Sequence, residues 1–251
     1  MSTRHAAQLE VPAPLRKEVR LLGDLLGQVL AESGGSSLLD DVEGLRRAVI
    51  AAREHGGDLD GAARLVEPWS GERAEQVARA FTCYFQLVNL AEERHRARAL
   101  RQRDSDTRPM SESLAETVAE IRSRHGVGRA TDLLADLVIQ PVLTAHPTES
   151  RRRAVVDAVT RVGAQLEALD DPRASEREHR DARLRLLEEI DGLWRTAQLR
   201  STQPHPLDEV RSVMSVFDES LFEAVPEIYR DLELALNPEE AGLRAPVGST
   251  T

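Results

Sequence analysis

Cysteine is almost absent. Cys83 stands alone in 251 residues, which excludes a disulfide framework and a cysteine-built metal site. Aromatic side chains make up only 3% of the chain, so its core must be built from Leu, Val and Ala, a composition that favours packed helices over antiparallel strands. Lysine is absent but for Lys17; the other basic residues are arginines, as expected of a high-GC genome, and arginine abundance alone carries no functional weight. Positive charge is in deficit: the net charge of −10 argues against nucleic-acid binding through the bulk surface. No apolar run approaches the length of a membrane span, and the start "MSTRHAAQLEVPAPLRKEVR" lacks the apolar segment of a secretory signal. The expectation is a cytoplasmic protein with no membrane or nucleic-acid partner.

What is present is helical periodicity. Leu15, Val19, Leu22, Leu26 and Leu30 share one face of a first helix, which Gly34 and Gly35 are expected to stop. A second helix is expected over residues 38–54, a short one before Pro68, and a long one from a Ser70 cap towards Arg103. Its inner side is read as Val77, Phe81, Phe85, Val88 and Ala91. Ser113 with Glu116, and Ser175 with Glu178, have the spacing of capping boxes. "HGVG" at 125–128 should end one helix, with another beginning near Arg129. Later helices are expected over 152–169, from Ser175 to about Arg200, and from Leu207 to Asn237 with a bend or break at Pro226.

One stretch interrupts this rhythm: "QPVLTAHPTESRRR", residues 140–153. Pro141 can open a strand but cannot donate within a ladder, and Val142, Leu143 and Thr144 read as a short buried strand. His146 precedes Pro147 and is therefore held in extended backbone, at the C-terminal end of that strand. In α/β barrels and open α/β sheets this edge is where ligands bind. Arg151, Arg152 and Arg153 then load the first turn of the next helix. Each cation there is unfavourable by roughly 0.3–1 kcal/mol, unless an anion satisfies both the guanidinium groups and the free N–H groups. Phosphate fits that description. Spacing alone leaves plainer readings open, because a His–Pro pair is often only a turn and an Arg cluster often a solvated face. His5, His55, His95, His125, His179 and His205 form no pair at zinc-ligand spacing, and no phosphate-cradling Gly-rich loop is present. Cys83, Trp69 and Trp194 read as core residues.

The residues "VLTAHPTESRRR" resemble the active-site histidine signature of the phosphoenolpyruvate carboxylase family. "LRKEVRLLGDLLGQVLAESGG" resembles the family's first helix, "ARAFTCYFQLVNLAEERHRAR" its long N-terminal helix, and "LWRTAQLRSTQPHPLDEVRSVMSVFDESLFEAVPEIYRDLELAL" the segment after the motif, in the family's order, over about residues 15–237. Glu149 and Arg151 depart from the residues more usual in the family. The resemblance implies a mainly α-helical protein: an N-terminal helical region at 1–136, then the first strand of a TIM-like α/β barrel with its following helices at 137–237. An irregular tail occupies 238–251, and the chain stops before the family's Gly-Gly-Asp-Arg-Asp-Gly-Asn-Pro loop.

The implied activity is carboxylation of phosphoenolpyruvate by bicarbonate to oxaloacetate and phosphate, through carboxyphosphate and an enolate, supplying the tricarboxylic acid cycle. His146 is the implied catalytic residue. Arg152, Arg153 and Arg200 are the implied substrate or phosphate site, which in some members takes a sugar-phosphate effector. Mg²⁺ or Mn²⁺ is implied, with ligands in the part of the family sequence that this chain lacks and none in this chain. The full-length family is usually homotetrameric. The alternative from another class is a non-catalytic helical interaction or regulatory module derived from the same family. On either reading, the 251-residue chain alone is expected to be inactive.

Overall fold

The computed structural model describes residues 11–54, 57–104, 113–140, 153–196 and 206–237. They form helices α1 (Ala13–Glu54), α2 (Asp60–Val66), α3 (Gly71–Asp104), α4 (Leu114–Ala135), α5 (Arg153–Asp170), α6 (Glu176–Arg195), α7 (Pro206–Val216) and α8 (Phe222–Leu236), with a π turn at Phe217–Leu221 between the last two. No strand occurs among the described residues. The helical part of the expected fold is therefore present, whereas the expected strand at 141–145 lies outside the described residues. No helix among them is long and apolar enough to cross a membrane.

The chain divides into two compact units, Met1–Ala97 with Ser150–Ser201 and Arg98–Glu149 with Thr202–Thr251. The first contains a continuous apolar core. Leu22, Leu25, Leu26, Val29 and Leu30 of α1 meet Val77, Ala80, Cys83, Leu87 and Ala91 of α3, and Val155, Ala158, Val162 and Leu166 of α5. Leu186, Ile190, Leu193 and Trp194 of α6 complete it. Helices α5 and α6 form a hairpin across residues 171–175. Ser175 caps α6 with a complete capping box: its Oγ accepts from the Glu178 N–H, and the Glu178 carboxylate accepts from the Ser175 N–H at 2.7 Å. Those two donations from Ser175, through N–H and Oγ, hold the Glu178 carboxyl below its ordinary range.

In the second unit α4 packs on α8, and Arg122 Nη1 donates to the Ala235 carbonyl at 3.1 Å. Ser113 Oγ caps α4 by accepting from the Glu116 N–H. Among the described residues of this unit, Val118 and Ala130 are the fully buried hydrophobic residues.

Four expectations meet the structure directly. The first is met: the chain leaves helical geometry at Gly35 (φ 77°, ψ 168°), which separates the first helical segment from a second that runs to Glu54 and folds back on it, so that a Cβ at Gly27 would sit 3.6 Å from Leu39. Gly126 does the same inside α4 (φ 79°, ψ 162°). Such angles are essentially reserved for glycine. At Gly34 the reason is space, because a Cβ would collide with the fully buried Leu38. Second, Phe85 is 59% exposed, not inward. Steps of four from Val77 through Phe81 to Phe85 rotate by about 80° around a 3.6-residue helix, whereas the alternation 77, 80, 84, 87, 91 stays on one face.

Third, α6 ends at Arg195. Thr196 turns to extended angles, and its Oγ1 donates to the Gly192 carbonyl at 2.7 Å, closing the helix before residue 200. Fourth, the irregularity expected at Pro226 lies upstream of it. Pro226 is inside α8, and the backbone widens at Phe217–Leu221.

Substituting Gly35 by alanine is expected to lower the stability of the chain by about 1–3 kcal/mol. No neighbour lies within 4 Å of a Cβ there, so the whole cost is backbone strain. Urea denaturation measures it, and an unchanged midpoint would show that the kink relaxes freely.

Candidate active-site segment

Helix α5 is described from Arg153, the expected start at residue 152 lies outside the described residues, and the first described turn contains no acidic residue. A helix start that is cationic and lacks the usual Asp or Glu is the arrangement expected of an anion site. The Arg153 side chain, together with His146, Arg152 and Arg200, lies outside the described residues, so the structure brings no pair of these side chains together.

The body of the same helix is held by a buried cation that sequence reasoning passed over. Arg94 of α3 is only 11% exposed in its side chain. Its Nε donates to Glu18 Oε1 on α1 at 3.0 Å, its Nη1 to the Gly163 carbonyl of α5 at 3.1 Å, and its Nη2 to Asp170 Oδ2 at 2.8 Å. Glu167 lies 3.6 Å from Nη1. Glu18 is itself a buried carboxylate, 8% exposed.

One planar guanidinium thus ties three helices, which suits its fork of donors in a way an ammonium could not match. A signal for this residue existed. Arg94 continues the 77, 80, 84, 87, 91 face of α3, so an arginine occupies an apolar-stripe position. Arg161 adds a second tie for α5, donating to Glu189 of α6 at 2.8 Å.

The remaining candidates read as structural. Trp194 is buried beneath the Arg79 guanidinium, 5.6 Å from the ring centroid. His179 Nε2 lies 3.2 Å from the Asp171 carbonyl across the α5–α6 turn, and the Arg173 guanidinium holds the Asp171 carboxyl below its ordinary range.

Cys83 is fully buried, and that burial pushes its thiol up to about 12. At pH 8 only about one thiol in ten thousand is then ionised. Cys83 is therefore expected to resist iodoacetamide in the native chain and to react fully in urea; rapid labelling of the folded chain would contradict its place in the core. Among the described residues no group of three or more His, Cys, Asp or Glu side chains could hold a metal ion.

A family profile described as phosphoenolpyruvate carboxylase matches residues 15–248. The chain is similar to the phosphoenolpyruvate carboxylase of Alcanivorax borkumensis, at 36% identity over 243 residues, covering 94% of this chain and 27% of that protein. It is similar to the one from Pseudomonas paraeruginosa at 35% over 232 residues, covering 90% and 26%. The one from Roseiflexus castenholzii is 38% identical over 230 residues, covering 88% and 24%. The chain thus spans about a quarter of the length of the curated relatives it matches.

Proposed function

The chain belongs to the phosphoenolpyruvate carboxylase family, and from that premise we propose that it is the N-terminal, histidine-bearing segment of an enzyme that carboxylates phosphoenolpyruvate with bicarbonate, releasing oxaloacetate and phosphate. The observation that carries the reading is the extent of the match, which runs through residues 15–248 and so includes "VLTAHPTESRRR" whole. The division into a helical region at 1–136 and a first barrel strand with its helices at 137–237 belongs to the same proposal. So do a cytoplasmic location, a homotetramer and a role in supplying the tricarboxylic acid cycle.

His146 is the group proposed to move or hold a proton while phosphate and carboxylate oxygens exchange charge. An imidazole that titrates near neutrality can do this at physiological pH. Arg152, Arg153 and Arg200 are proposed to recognise phosphate oxygens, of the substrate or of a sugar-phosphate effector, by paired guanidinium donors. The divalent metal is not placed on this chain. Its ligands are proposed to lie in the portion of the family sequence this chain does not span.

Replacing Arg153 or Arg200 by alanine, in a full-length relative carrying this segment, is expected to raise the KM for phosphoenolpyruvate or the activation constant of a sugar phosphate by about tenfold or more. Both constants unchanged would remove the phosphate role. A full-length enzyme whose activity ignored His146 would favour the non-catalytic module instead.

A further inference from the structure

Helix α5 carries charge in the unfavourable order at both ends. It is described from an arginine, Arg153, with no acidic residue in the first described turn. Its last turn has no basic residue and holds Glu167 and Asp170 instead. The helix dipole favours the reverse, carboxylates at the start and cations at the end. At the C-terminal end another helix supplies the cation: Arg94 of α3 donates to Asp170 Oδ2 at 2.8 Å and lies 3.6 Å from Glu167. The N-terminal end is where Arg153 is proposed to meet phosphate.

Apolar packing does not by itself fix where that start stands. Val155, Ala158, Val162 and Leu166 bury one face of α5 in the core. Hydrophobic burial is non-directional, so short side chains of this kind oppose a small slide along the helix axis only weakly. The Arg94 fork is directional. Its Nη1 donates at 3.1 Å to the Gly163 carbonyl, which is backbone and cannot swing as a side chain can. Its Nε is held at 3.0 Å by Glu18 of α1, so α1 and α3 together set the guanidinium that grips α5. With 11% of the Arg94 side chain exposed, water weakens these bonds little. The other tie of α5, from Arg161 to Glu189, joins it to its hairpin partner α6 through a side chain 54% exposed, and does not reference it to α1 or α3.

We infer that Arg94 is a positioning residue for the phosphate site: by fixing the α5 backbone in register with α1 and α3, it sets where Arg153 stands. The inference rests on the phosphate role proposed for Arg153. Gly163 lies ten residues, roughly 15 Å, beyond Arg153 in one helix, and a helix passes an axial shift along that length. A displacement of about 1 Å at a recognition group can cost a hundredfold.

The test uses the full-length chimaera in which this segment replaces the matched quarter of a relative. Glu18→Leu with Arg94→Met removes the fork without stranding a charge, which separates positioning from folding. Arg153→Ala first identifies the constant that reads the site: the KM for phosphoenolpyruvate, or the activation constant of glucose 6-phosphate. That same constant is expected to rise about fivefold or more in the double variant, with kcat within about threefold. Its urea midpoint should stay close to that of the unsubstituted chimaera. Arg94→Lys keeps a charge opposite Glu18 but loses the fork, and is expected to raise the constant as well. Gly35→Ala, which strains the backbone of α1 with no neighbour within 4 Å of the new Cβ, is expected to leave it unchanged. A constant that responds to Arg153→Ala but not to the double variant or to Arg94→Lys overturns the inference and leaves the proposed function standing. An equal rise in Gly35→Ala also overturns it, because the effect would then be general softening of the unit. A constant that ignores Arg153→Ala removes the phosphate role, and the positioning role with it.

Discussion

Replacing His146 by asparagine is expected to reduce carboxylation by about a hundredfold to ten-thousandfold, the usual contribution of a positioned proton-transfer group. The reaction should be followed in a full-length relative whose matched quarter has been exchanged for this segment. Asparagine keeps a hydrogen-bonding side chain of similar reach but cannot take up a proton near neutral pH, so the substitution separates holding from proton transfer. The affinity for phosphoenolpyruvate should stay within about tenfold, because substrate anchoring is proposed for Arg152, Arg153 and Arg200 and for groups outside this segment. The kinetic pattern discriminates: a proton-handling residue lowers kcat with a nearly constant KM, whereas an anchoring residue raises KM and leaves kcat in place. Near-normal kcat in the asparagine variant would remove His146 from the chemistry.

The second large effect is on stability. Substituting Arg94 by methionine is expected to destabilise the first unit by about 3–5 kcal/mol, as breaking a buried ion pair does when one charge is left behind. Glu18, 8% exposed, would lose the guanidinium that faces it at 3.0 Å. The Gly163 carbonyl of α5 would lose its side-chain donor. Asp170 and Glu167 matter less, since both reach solvent, with side chains 53% and 72% exposed. The double substitution Glu18→Leu with Arg94→Met should recover much of the loss, because removing both charges removes the stranded one. Urea denaturation of the two single variants and the double variant closes the cycle. A loss below about 1 kcal/mol for Arg94→Met would show that the cluster is solvated in solution. Domains are stable by only about 5–15 kcal/mol, so the expected loss is enough to threaten folding of the unit.

The capping boxes show what a sequence can express locally. Ser175 and Glu178 are three residues apart, and the structure joins them as that spacing requires. The glycines at 34–35 and 126 were legible as breaks between helices, and the structure leaves helical geometry at Gly35 and Gly126. The exposure of Phe85 follows from its angular position on α3, which steps of four carry away from the buried face. Arg94 was hidden by composition: one more arginine in an arginine-rich chain carries no mark except its place on an apolar stripe. The π turn at Phe217–Leu221 was not legible, since no proline or glycine there marks a widened turn. The candidate site was legible almost entirely as a motif. His146, Arg152, Arg153 and Arg200 are legible from sequence alone, and of that stretch the structure describes α5 from Arg153 onward and the ties that hold its body.

The most direct test of the central reading is phosphoenolpyruvate- and bicarbonate-dependent oxaloacetate formation by the chimaeric enzyme, in which residues 15–237 of this chain replace the matched quarter of the Alcanivorax borkumensis relative. Turnover within about tenfold of that relative, lost with His146→Asn, is the expected result. A chimaera that is soluble, correctly assembled and able to bind phosphoenolpyruvate, yet forms no oxaloacetate above background, would contradict it.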